Sequence, residues 1–275
     1  MIDVTFHGVR GSTPCHDPST VRYGGNTSCV SLSAEGQPPL VLDLGTGLRY
    51  YAKQIDNGGE YHGVALVSHL HWDHVQGLPF FPPMLRAGST MAIYGPMQED
   101  GSSFASSLTD AISPPTFPID FQLFAGEFTF HSLANDQVKI GDYSVMSRVI
   151  PHIGSTLGFR ITLGDVSIAY IPDHQQSYDG SHTIPDAVRE LVQGADLLIH
   201  DSQYLAPEFA EKYYWGHCTP DFAVAIANEC KVKSVALFHH DPNRTDAELD
   251  TLPGQVCSLS SKVFVAAEGM RVSVG

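Results

Sequence analysis

Six consecutive residues, His69-Leu70-His71-Trp72-Asp73-His74, follow the apolar run Ala65-Leu66-Val67 and place three imidazoles and a carboxylate at what reads as a strand end. In an extended or tightly turning segment, side chains at i and i+2 project to the same side, so His69 and His71 can grip one cation. If the chain then coils into a helix, Asp73 and His74 swing toward a neighbouring position. Four metal-capable side chains within six residues are hard to explain as packing. More donors stand at corresponding places, each just past a β-like run: His152 after Val149-Ile150-Pro151, Asp173 after Ala169-Tyr170-Ile171-Pro172, and His239 after Val235-Ala236-Leu237-Phe238. Any one of these alone reads as a side chain satisfied by local hydrogen bonds. Together with the cluster they form a donor set for divalent metal, and the mixture of imidazole and carboxylate suits Zn²⁺, with Mn²⁺ and Fe²⁺ as alternatives.

The elements that must hold these residues alternate between strand and helix signals. Runs at 2–6, 29–32, 40–44 and 64–67 read as strands, and the 0, 3, 4, 7 spacing of Leu48, Tyr51, Ala52 and Ile55 predicts a helix. Thr219 as N-cap with Pro220 in the first turn predicts a helix over 219–230. Thr245 and Glu248 form a T-x-x-E capping box that starts another. Between them, 143–149, 157–163 and 166–171 follow one another as strands, with Gly154 and Gly164-Asp165 as turns. Helix 185–193 then leads to a strand at 196–199, and helix 219–230 to a strand at 234–238. Hairpins followed by βα units imply a mixed sheet system covered by helices, in a single domain over 1–275. The Gly-, Ser- and Pro-rich stretch 95–120 breaks the rhythm and predicts a surface insertion with one short helix at 104–112, suited to covering a site or an interface.

Composition excludes several classes of function. The 275 residues carry 15 Lys and Arg against 30 Asp and Glu, a formal charge of −15, with 43% hydrophobic and 16% charged residues. That is enough apolar matter for a substantial core and too little charge for a disordered polyelectrolyte. Bulk nucleic acid needs a local basic patch, and no Lys/Arg run supplies one. No apolar stretch approaches the roughly 20 residues that cross a bilayer, so no membrane partner is expected. Charges within residues 1–10 oppose a signal peptide and point to the cytoplasm. Cys15, Cys29, Cys218, Cys230 and Cys257 are scattered without a C-x-x-C pair and are expected as reduced packing residues. The apolar stretch 78–84 suits the core, a cleft lining or a homodimer contact, and the sequence leaves these open.

The ordered set His69, His71, Asp73, His74, His152, Asp173 and His239 resembles the second to fifth motifs of the metallo-β-lactamase-fold hydrolases, and Asp43, in Leu42-Asp43-Leu44-Gly45-Thr46-Gly47, resembles their first. The resemblance covers nearly the whole chain. It implies an α/β fold, a four-layer αβ/βα sandwich of two mixed β-sheets flanked by helices, with the site at one edge. It also implies one metal on His69, His71 and His152, a second on Asp73, His74 and His239, and Asp173 bridging the two. Such a pair of cations shares a water and lowers its pKa, so that a bridging hydroxide is available near neutral pH, while neutralising charge on a phosphoryl or carbonyl oxygen. No G-x-S-x-G elbow offers a serine nucleophile instead. Asp43 is expected to orient a ligand imidazole through its second N–H, with a helix cap near Gly47 as the alternative. Strand alternation lets one of His239 and His240 face the metals; His239 is preferred, leaving His240, Asp241 and Asp201 for a supporting layer.

Two further segments resemble the ribonuclease Z and small-molecule phosphodiesterase branch. Trp215-Gly216-His217-Cys218-Thr219 is similar to its H-x-T segment, and Phe238-His239-His240-Asp241-Pro242 to its final metal-ligand strand end. The resemblance implies that His217 reaches the scissile phosphate as a general acid or phosphate-oxygen donor. Asp73 and His217 are the expected catalytic residues. The segments 9–12 and 23–28 also look similar to this branch, which suits Arg10 or Asn26 to the rim, with purely structural glycine-rich turns as the alternative. No basic Gly/Pro-rich arm for a transfer-RNA elbow is recognisable, and the acidity opposes polyanions. The expected function is therefore a dinuclear metal-dependent phosphodiesterase for a small or cyclic phosphodiester. An acyl hydrolase for a lactone, thioester or β-lactam, or a transfer-RNA 3′-processing endonuclease, is the alternative. A non-catalytic metal sensor would have lost ligands, whereas all seven are kept.

Overall fold

The computed structural model describes residues 1–55, 57–178, 183–256 and 261–275. Alternation along the strands decides where the core sits. Ile168 and Tyr170 face one way and Ala169 and Ile171 the other; Ala236 and Phe238 likewise oppose Val235 and Leu237. Strands that are apolar on both faces must be covered on both.

Fourteen strands are formed among the described residues: β1 (Ile2–Gly8), β2 (Cys29–Ser33), β3 (Leu40–Leu42), β4 (His62–Leu66), β5 (Thr90–Pro96), β6 (Glu127–Leu133), β7 (Gln137–Ile140), β8 (Tyr143–Val149), β9 (Leu157–Leu163), β10 (Val166–Ile171), β11 (Leu197–Asp201), β12 (Ser234–Phe238), β13 (Lys262–Val265) and β14 (Arg271–Val274). They build two sheets, in the orders β14-β1-β2-β3-β4-β5-β6 and β13-β12-β11-β10-β9-β8-β7. Each sheet is part antiparallel and part parallel, the parallel parts being β3 to β6 and β10 to β13. Phe6, Leu32, Phe159, Tyr170 and Phe238 pack between the sheets.

Helices α1 (Leu48–Ile55), α2 (Trp72–Val75), α3 (Phe104–Ala111), α4 (Asp186–Val192), α5 (Ala206–Lys212), α6 (Pro220–Glu229) and α7 (Asp246–Gln255) complete the chain. Leu48 and Tyr51 of α1 and Phe104 and Leu108 of α3 cover the outside of the first sheet. Val188 of α4, Phe222 of α6 and Leu249 of α7 cover the second. This is the expected four-layer αβ/βα sandwich. Thr219 and Thr245 cap α6 and α7 as their sequences predict, accepting from Phe222 N and Glu248 N.

One expectation needs correction, and the structure fills in two others. The run 40–44 stops as a strand at Leu42, because Asp43 takes a left-handed conformation at φ 57°. The stretch 95–120 gives its first two residues to β5 and forms the expected short helix as α3, with Phe104, Leu108 and the following Ile112 fully buried against the first sheet. The stretch 78–84 divides between two roles. Leu78, Phe81 and Met84 enter the core, while Phe80 is exposed and lines a cleft of about 620 Å³ with Pro79, Pro82 and Leu85. Cys15, Cys29, Cys218 and Cys230 are free thiols, and Cys257 lies outside the described residues. No helix among the described residues is long and apolar enough to cross a membrane.

Asp43, His69, His152, Asp173, Asp201 and His239 all lie at, or within three residues after, the ends of β3, β4, β8, β10, β11 and β12. The fold therefore gathers them at one edge of the sandwich.

Candidate metal centre

After β4 the chain turns into α2 at His71, whose backbone is extended (φ −60°, ψ 147°) and whose side chain makes no capping bond. Asp73 and His74 consequently fall in the first helical turn, beside His69 and His71. His69 Nε2 and His152 Nε2 each lie 3.5 Å from Asp173 Oδ2, and His71 Nδ1 lies 3.2 Å from His152 Nε2. On the other side, His74 Nε2 and His239 Nε2 lie 3.2 and 3.1 Å from Asp173 Oδ1 and 3.3 and 3.2 Å from Asp73 Oδ2. All seven residues converge, and the two oxygens of Asp173 are divided between an imidazole trio and an Asp73-His74-His239 trio.

The hydrogen bonds around the cluster fix which nitrogen His69, His74 and His152 turn inward. His74 Nδ1 donates to Asp43 Oδ2 at 2.8 Å, and His152 Nδ1 to Gly216 O at 2.7 Å. Ser68 Oγ donates to Asp43 Oδ2 and so accepts from His69 Nδ1 at 3.0 Å. The Nε2 atoms of these three are left facing the other donors and the carboxylates, whereas His71 presents Nδ1. Burial pushes His152 down to about 4 and His69 well below its ordinary value, so both present a lone pair inward. Burial also opposes charge on His74, but Asp73, Asp173 and Asp43 outweigh it and raise its pKa well above the usual histidine value.

A divalent cation fits this arrangement. His69 Nε2 and Asp173 Oδ1 are buried without a hydrogen-bond partner, and inward-facing lone pairs repel unless a cation stands between them. Imidazole bound to zinc at about 2.0–2.1 Å in a tetrahedral shell spaces its donors roughly 3.3–3.5 Å apart. The donor contacts here span 3.1 to 3.5 Å.

Asp43 is a positioning residue rather than a helix cap: besides His74 it takes Ser68 N at 2.7 Å and Tyr170 Oη at 2.7 Å. His239 faces the cluster as preferred, but not through strand alternation. It lies just past β12 at φ 59°, and that left-handed turn aims its ring. His240 does not reach the ligands; its Nε2 bonds Ala266 O at 2.9 Å. Arg10 is not at the rim. It is fully buried and donates to the carbonyls of Gly24, Asp241 and Arg244. Asn26 is partly buried, its amide bound to Glu268. Asp241 accepts from Asn243 N. Asp201 Oδ2 lies 3.0 Å from His217 Nδ1, which is also 3.8 Å from Asp173 Oδ2.

Sequence reasoning missed Ser68, Tyr170, Gly216 and the Ser12 amide, which donates to Asp73 Oδ2 at 2.7 Å. Ser68 adjoins the histidine cluster and was within reach of inspection. Tyr170 reads only as a buried strand residue.

A family model for the beta-lactamase superfamily domain matches residues 52–240. The chain belongs to the beta-lactamase superfamily. Within it, an uncharacterized protein of Mycobacterium tuberculosis is 28% identical over 249 residues, covering 88% of this chain and 81% of that protein. Ribonuclease Z of a Synechococcus species is 24% identical over 326 aligned positions, covering 99% of both. A solved diphosphatase of the PhnP family shares the fold, with a TM-score of 0.74 at 19% identity over 99% of this chain and 98% of that one. Membership in this superfamily, with a histidine and aspartate cluster suited to metal ions, makes the protein a metal-dependent hydrolase.

Proposed function

We propose that this superfamily member is a phosphodiesterase that acts on a small or cyclic phosphodiester with two divalent ions, zinc by the donor set and its spacing, with manganese or iron as substitutes. His69, His71 and His152 would hold one ion, Asp73, His74 and His239 the other, and Asp173 both. When bound, the ions supply Lewis acidity at the scissile centre and lower the pKa of water there.

The observation that carries the phosphodiester reading is His217. Its Nδ1 is held by Asp201, which leaves Nε2 for a substrate oxygen, and its ring lies 5.0 Å from that of His239. Burial opposes charge on this imidazole, but Asp201 and Asp173 raise its pKa, which suits it to give a proton to a leaving alkoxide. Relatives named ribonuclease Z and a neighbour named a diphosphatase support the reading. The formal charge of −15 favours a small substrate over a polyanion.

The test is turnover of bis-(p-nitrophenyl) phosphate and of cyclic nucleotides by metal-loaded protein, with a lactone and a β-lactam in parallel. His217→Ala should lower phosphodiester turnover about 100-fold or more with metal content intact. Hydrolysis of the acyl substrates alone, or full activity of the variant, would overturn the assignment.

A further inference from the structure

The chain has two tryptophans, both half-exposed, Trp72 at 48% and Trp215 at 50%, and each adjoins in sequence a residue of the metal cluster or of its support. An indole left in water forgoes much of the stabilisation its burial would give. Trp72 directly follows His71. Trp215 directly precedes Gly216, whose carbonyl accepts from His152 Nδ1. His71 Nδ1 and His152 Nε2 are themselves 3.2 Å apart, so the backbone beside each tryptophan leads to one imidazole pair.

Burial shows that this pair is the open side. Of the seven donor residues only His71 is exposed; His69, Asp73, His74, Asp173 and His239 are buried, and the His152 side chain is fully covered. Solvent therefore meets the centre at His71. Ile153, next to His152, is exposed there as well. Lys212 Nζ sits 5.6 Å over the Trp215 ring and 4.7 Å over that of Tyr204, a cation–π contact on one face of the indole.

We infer that Trp72 and Trp215 form an aromatic rim that stacks a planar ring of the substrate, of the nucleobase kind, while the phosphoester group it carries meets the metal centre. The proposal rests on the phosphodiester reading for which end of the ligand faces inward. Indole faces select flat rings over saturated chains, and a base stacked on an aromatic side chain gains about 5- to 150-fold in affinity.

The two tryptophans are also the reporters for the test. Quenching of intrinsic fluorescence by adenosine 5′-monophosphate and by ribose 5-phosphate compares ligands that share the phosphate and differ in the ring. The nucleotide should bind at least 10-fold more tightly. Trp72→Leu and Trp215→Leu should each shrink that advantage several-fold and leave ribose 5-phosphate affinity unchanged, with calorimetry replacing fluorescence for the double variant. Equal affinities, no binding of either ligand, or an advantage that survives both substitutions overturns the rim. Phosphodiester turnover without a ring preference overturns the rim alone. A ring preference without turnover on any phosphodiester leaves the rim standing and overturns the catalytic reading.

Discussion

Asp43 Oδ2 accepts the Nδ1–H of His74 at 2.8 Å, with neither side chain exposed to solvent. The same carboxylate takes Ser68 and Tyr170, so one charge orients His74 directly and His69 through Ser68. Asp43→Asn preserves shape and tolerates the left-handed backbone, but it must turn an NH₂ group toward at least one of these donors. Metal affinity should fall about 10- to 100-fold, as read by competition with a chelating dye. Unchanged affinity would remove Asp43 from the orienting role.

Gly216 has φ 93°, and a Cβ there would meet the His152 ring at 2.5 Å. Gly216→Ala should cost roughly 1–3 kcal/mol in urea unfolding and reduce metal content, because the ring that must move is a donor. Gly164 offers the contrast: φ 58°, with open space around its would-be Cβ. Gly164→Ala should cost about 1 kcal/mol from backbone strain alone and leave metal content intact. Equal metal loss in both variants would mean that the close approach at Gly216 is irrelevant.

The legible part of the molecule was the part governed by local rules. Apolar runs, N-caps and histidine spacing are properties of neighbouring residues, and they located the central strands, α1, α6, α7 and the seven histidines and aspartates that converge at the sheet edge. Strands such as β6, with exposed Glu127, and β14, with exposed Arg271, carry mixed patterns because they lie at sheet edges. Arg10 was misplaced because an arginine in a glycine-rich loop normally faces solvent. Only the fold shows three carbonyls, two of them from 240-range residues, closing around it.

His7 provides a pH dependence remote from the ligands. It is 2% exposed, with Nε2 2.8 Å from Ser31 Oγ; burial, aided by the charge of Arg271, lowers its pKa from 6.5 to about 4. Between those values the unfolded chain binds a proton that the folded chain does not. The stability is therefore fully present above pH 6.5 and is lost as pH falls toward 4, by roughly 3 kcal/mol at most. His7→Gln should lose about 2–3 kcal/mol less than the parent between pH 7 and pH 4.5 in denaturant titrations. Other groups titrate alike in both proteins, so parallel curves would show that His7 does not titrate as described.

Arg10 ties together the loops that hold one half of the metal centre. Its guanidinium donates to Gly24 O at 2.8 Å, Asp241 O at 3.0 Å and Arg244 O at 2.7 Å, while its backbone bridges Thr27 and His240. The next residues press on the site: Gly11 lies against the His239 ring, and Ser12 N donates to Asp73. Arg10→Met would leave three carbonyls without their donor and partly buried Glu268 without a nearby cation, costing about 3–5 kcal/mol. Lysine cannot fork to several acceptors and should recover only part of that loss. Because the loops meet Asp73 and His239 and not His71 or His152, binding at the Asp73-His74-His239 trio should weaken first. Metal titration of Arg10→Lys should then show one tight equivalent retained and the second weakened about 10-fold or more. Equal weakening of both equivalents would mean that the loops support the whole cluster rather than its inner half.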